Sequence, residues 1–173
     1  MPTLLRPKRH LEAVIDRLQY DFTAFDVQHF LNHLQVQRQH PIHVIDFPFA
    51  PEIYGLWVPA EGADYIFVNA HLLPAHRVHT LLHEIAHMLL NHRGIDVRTV
   101  LGDTLWKTLG VPATAGHLRA AAPSDSVQDE EAELFVLLIQ QRVTRARRLQ
   151  ELYGEPTSLP LMRQYVQGLD FNS

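Results

Sequence analysis

The chain contains no cysteine. Disulfides, thiolate metal sites and a cysteine nucleophile are excluded, so any metal must be held by imidazole and carboxylate. There is no apolar run approaching about 18 residues, and no transmembrane helix or membrane partner is expected. The start, Met1-Pro-Thr-Leu-Leu-Arg-Pro-Lys-Arg-His10, has basic residues but lacks the apolar stretch of a signal peptide. The expected location is therefore cytoplasmic. Net positive charge is missing too. At −4 the chain has no basic footprint of a nucleic-acid binder, and no recognition-helix pattern accompanies it, so no direct nucleic-acid partner is expected. Repeats and low-complexity tracts are also absent. What remains is 173 residues, 46% hydrophobic, enough for one proper core, and a single domain over 1–173 is the expectation.

Histidine is plentiful, at 12 residues, and its most informative cluster is Val78-His-Thr-Leu-Leu-His83-Glu84-Ile85-Ala86-His87-Met-Leu-Leu-Asn-His92. This run contains H-E-x-x-H. Residues four apart share a helix face, so His83 and His87 can aim two rings at one point. Two imidazoles at about 2.0–2.1 Å supply half of a tetrahedral Zn²⁺ site. Glu84 lies about 100° round the helix from His83 and can take the proton of a water that the metal acidifies. The flanking Leu81, Leu82, Ile85, Met88 and Leu89 make the segment apolar nearly all round, which predicts a buried helix. A buried histidine pair with a glutamate is expensive unless something compensates it, and a metal does so.

Around this helix the pattern is mixed. Leu11, Val14, Ile15 and Leu18 repeat at helical spacing over His10–Tyr20, and a second helix is expected over Thr23–Arg38, giving an N-terminal helical pair in 1–40. His29 and His33 are read there as surface residues. After Pro41, Ile42–Ile45 is a short strand candidate. Ile53–Val58 and Tyr65–Asn69, joined by a turn-forming run, predict an antiparallel hairpin, one edge of which could align an extended peptide. Tyr54 and Tyr65 are read as sheet cover. The metal helix should run from Pro74 to about Asn91. Thr99–Leu109 is a possible short helix, and 94–123 otherwise reads as a binding loop or cover. A long helix is expected from Ser124 to Gln150, with an acidic start and Arg142, Arg145, Arg147 and Arg148 at its solvated end. The metal-site core is thus 42–139, with a helix end and tail over 140–173.

A catalytic zinc usually takes three protein ligands and keeps a fourth position for water. The acidic start of the long helix is the natural source of the third. In one useful arrangement Asp129 ligates while Glu133, one turn on, accepts the outer N–H of a ligand histidine. Glu130, Glu131 and Glu133 are the alternative ligands. Ser126-x-x-Asp129 also resembles a capping box, in which Asp129 would close the helix start instead. His79 is read as a core or supporting residue.

His83-Glu84-Ile-Ala-His87-Met-Leu-Leu-Asn-His92, followed after a gap by Asp129-Glu-Glu131-Ala132-Glu133-Leu-Phe135-Val-Leu-Leu, resembles the ImmA/IrrE family of zinc metallopeptidases. The family pattern E-x-x-A-N-x-F-A puts its ligand glutamate at Asp129 and its asparagine at Glu133. The family's Leu-Met-Pro ending is replaced by Leu138-Ile139-Gln140. The expected architecture is α+β: a small antiparallel or mixed sheet packed against helices, zincin-like, with H-E-x-x-H on a buried central helix. The resemblance implies a Zn²⁺-dependent endopeptidase with metal ligands His83, His87 and Asp129 and with Glu84 catalytic. Its implied partner is a helix-turn-helix (XRE-type) transcriptional repressor or antitoxin-like protein. The alternative is a non-proteolytic partner-binding domain with a structural zinc, closed to four ligands by His79 or His92.

Overall fold

The computed structural model describes residues 5–93, 107, 117–120 and 127–153. Within them two helices, α1 (Leu5–Arg17) and α2 (Val27–Arg38), precede strands β1 (Ile42–Phe47), β2 (Ile53–Pro59) and β3 (Asp64–Asn69). Helix α3 (Pro74–Leu89), strand β4 (His117–Ala120) and helix α4 (Val127–Tyr153) follow. The class is α+β. The expected short helix over Thr99–Leu109 falls outside the described residues except at Lys107, which is helical, and the tail beyond Tyr153 falls outside them altogether.

The sheet is mixed, in the order β1-β3-β2-β4. β1 runs parallel to β3, pairing Val44 with Ile66, while β2 pairs antiparallel with β3 as the hairpin reading required, Trp57 facing Ile66. β4 pairs antiparallel with β2, Leu118 opposite Leu56, with a register irregularity between Ile53 and Gly55. This order corrects one expectation. Both hairpin strands lie inside the sheet, so neither offers an edge to a peptide, and among the described residues the edges are β1 and β4. His117-Leu-Arg-Ala carries too little of the alternating aromatic and β-branched signal to announce a strand.

Period-two alternation divides the sheet residues between two cores. Trp57, Ile66 and Val68 face the helices, where they meet Leu11 and Ile15 of α1, Phe30 and Leu34 of α2, Leu81 and Ile85 of α3, and Phe135 and Ile139 of α4. Leu56, Val58 and Phe67 face the other way and pack with Phe49 from the β1–β2 loop. Asn69 secures that loop: its buried amide donates to the carbonyls of Ala50 and Ile53, at 3.1 and 2.8 Å. α3 therefore lies between the sheet and α4, which explains why every residue from Thr80 to Met88 is buried.

Candidate metal centre

α3 begins with Pro74 at its first turn, where the missing N–H costs nothing. It carries His83, Glu84 and His87 into the interior, at 2%, 0% and 1% exposure. α4 brings an acidic first turn alongside. The Nε2 atoms of His83 and His87 lie 2.9 Å apart, and Asp129 Oδ1 sits 3.5 Å from the first and 3.2 Å from the second. These are the separations expected of ligands on one ion, since metal–ligand bonds of about 2.0–2.1 Å put tetrahedral ligands about 3.3 Å apart. Among the described residues this is the group of three histidine or acidic side chains able to hold a metal.

The far side of each ring decides whether a cation fits. Nδ1 of His83 is 3.0 Å from Glu133 Oε1. Nδ1 of His87 is 2.8 Å from Nδ1 of His92, whose Nε2 is 3.2 Å from Glu131 Oε2. Carboxylates accept, so His83 donates through Nδ1 to Glu133 and His92 donates through Nε2 to Glu131. His92 then accepts from His87 Nδ1. Both metal-facing Nε2 atoms are left as lone pairs, directed at each other and at a carboxylate oxygen. Three acceptors converging in a buried space repel one another unless a cation lies between them. The donor set of two imidazoles and one carboxylate suits a divalent transition metal.

The acidic cluster is thus sorted by geometry. Asp129 joins the imidazole pair, Glu133 spans His83 and His79 (Nε2–Oε2 3.1 Å), Glu131 meets His92, and Glu130 is exposed. Burial pushes the pKa of His92 below 6.5, with Glu131 opposing the shift, and a neutral ring is what the acceptor role requires. His29 and His33 serve the N-terminal helices instead, paired with the Tyr20 hydroxyl at 2.8 Å and the Leu18 carbonyl at 2.7 Å.

Two contributions are not announced by the sequence. Gly55 of β2 faces α3, and a Cβ there would lie 2.6 Å from Thr80 Cγ2 and 2.9 Å from Glu84 Oε1. The missing side chain is what allows the Glu84 carboxylate to lie against the sheet. His92 and Glu131 are the second case: the sequence offers each as a possible ligand, and nothing in it pairs the two with each other behind His87.

Residues 37–107 match the family model described as IrrE N-terminal-like domain, a peptidase family. No curated protein and no solved structure gives a significant match. The matched residues run from the end of α2 through β1–β3 and α3, and they stop short of the helix that carries Asp129. The match points to a metallopeptidase-like function, and the histidine–aspartate cluster agrees with it. Over residues 37–107 the chain is similar to the IrrE N-terminal-like family.

Proposed function

We propose that the chain is a zinc-dependent endopeptidase of zincin-like architecture, one domain acting in the cytoplasm, in which Glu84 is the general base. The observation that carries this reading is the convergence of His83 Nε2, His87 Nε2 and Asp129 Oδ1 beside a buried glutamate. Those three residues would hold the ion. A bound zinc supplies Lewis acidity, lowering the pKa of water towards about 7 and polarising a peptide carbonyl. Glu84 takes the proton of the attacking water and delivers it to the departing amine. Glu133 and His92 keep the two imidazoles in register. The outer edge of β4 offers main-chain groups to an extended peptide, and it takes the place of the hairpin edge in that role. The family resemblance points to an XRE-type repressor as substrate.

His79 and His92 are the residues able to close a four-ligand structural site, and both are engaged elsewhere, with Glu133 and with the outer nitrogen of His87. This favours the open, hydrolytic centre over a structural zinc in a partner-binding domain. The test is Glu84→Gln incubated with zinc and a helix-turn-helix repressor of the XRE type. Zinc content stays stoichiometric while cleavage falls about 10²–10⁴-fold, the usual share of general acid–base catalysis. A fully active glutamine variant would show the base to be another group.

A further inference from the structure

Helix α3 ends in a way that returns a side chain to its own metal-facing residue. Asn91 adopts a left-handed conformation (φ 52°), and the His92 amide then donates to the His87 carbonyl at 3.0 Å. This turn lays the His92 ring beside that of His87, nitrogen to nitrogen at 2.8 Å, with a side chain only 7% exposed. Its other nitrogen reaches Glu131 of α4 at 3.2 Å. We propose that His92 and Glu131 are positioning residues, a two-step relay that holds His87 in the tautomer whose Nε2 lone pair faces the metal.

The direction of the relay follows from its terminus. Glu131 can only accept, a neutral imidazole has one N–H, and so each ring passes the donor role inward until His87 Nε2 is stripped of its proton. Glu131 lies two residues from Asp129 on the same helix. One docking of α4 on α3 therefore sets both the third ligand and the orientation of the second. A residue that merely filled space beside His87 could be replaced by any side chain of similar volume, whereas the relay requires an acceptor at the Nδ1 position.

The inference rests on reading His83, His87 and Asp129 as the metal centre, and the experiment separates the two. Zinc affinity is measured by competition with a chromophoric chelator for wild type, His92→Leu, His92→Asn and Glu131→Leu, with the melting temperature of each zinc-free protein recorded alongside. His92→Leu binds zinc 10–100-fold more weakly, about the usual effect of losing an outer partner of a ligand histidine. His92→Asn, whose amide oxygen can take the place of Nδ1, stays within about threefold of wild type. Leucine equal to wild type, or asparagine as weak as leucine, overturns the relay. If His92→Leu does not fold, Glu131→Leu decides. Its side chain is 30% exposed, so weaker zinc binding at an unchanged zinc-free melting temperature supports the relay, and unchanged binding overturns it. A wild-type chain that takes up no zinc removes the metal centre and the relay together, while zinc-binding wild type with indifferent variants removes the relay alone.

Discussion

Gly55 shows how a residue without a side chain can govern a site. Adding one carbon there brings it against Thr80 Cγ2 at 2.6 Å, inside a helix segment with no room to retreat. Gly55→Ala is expected to cost about 1–3 kcal/mol, as overpacking of a tight core does, and to displace Glu84. Pairing it with Thr80→Ser, which deletes the Cγ2 methyl, should restore part of the loss in a urea titration; a double variant no better than the single would place the strain elsewhere. Asp21 gives a second test at this scale. Its carboxylate accepts from the Thr23 hydroxyl at 2.7 Å and from the Thr23 amide at 2.9 Å, and these bonds hold its pKa below 3.8. A depressed carboxylate pKa contributes stability above its unfolded value, and that contribution is lost as pH falls through the folded one. In an NMR titration the midpoint of Asp21 lies below 3.8 and climbs towards it in Thr23→Val; an unmoved midpoint would remove the hydroxyl as the cause.

Element boundaries show where local chemistry was decisive. The apolar spacing of α2 is visible from Thr23 onward, yet the helix begins at Val27, because the Asp26 carboxylate caps the amides of Gln28 and His29 at 2.9 and 3.0 Å. Asp26→Ala should destabilise the protein by about 1 kcal/mol, measured by thermal or urea unfolding. A change within error would mean that the cap is replaced by water at no cost. The start of α3 was legible from Pro74, and its end at Leu89 comes slightly earlier than the apolar run alone suggests. The long helix was legible from its acidic start and apolar repeat. That Asp129 turns to the imidazoles was named by the family pattern and not by the helix signal, since a first-turn aspartate serves equally well as a cap.

At the scale of the molecule, a buried polar cluster ties the layers together. Asp64, 2% exposed at the start of β3, accepts from Arg38 at 2.7 Å and from the Trp57 indole at 2.9 Å, joining α2 to the sheet. Arg38 also touches the Met88 sulfur of α3. Asp64→Ala removes the acceptor of a buried indole N–H, while Arg38, 29% exposed, can partly rehydrate. A loss of about 2–4 kcal/mol is expected in urea. A metal held as proposed, between His83 and His87 of α3 and Asp129 of α4, would add a second link. Zinc at about 100 times its dissociation constant should stabilise the fold by about 2.7 kcal/mol, visible as a rise of several degrees in melting temperature. That rise should vanish in His87→Ala, and a rise that survives would place the zinc elsewhere. No helix among the described residues is long and apolar enough to cross a membrane.

Short-range pattern was sufficient for the buried motif helix, the β2–β3 hairpin and the pairing of two imidazoles, because helical and strand periods dictate which neighbours share a face. The order of strands, the edges among the described residues, the gap at Gly55 and the pairing of Glu131 with His92 lay beyond it. Each of these depends on how segments dozens of residues apart come to rest on one another. Asp129, Glu131 and Glu133 are chemically near-equivalent in the chain, and only the angle at which α4 packs on α3 brings Asp129 to the facing nitrogens of His83 and His87, Glu133 to the outer nitrogen of His83 and Glu131 to His92.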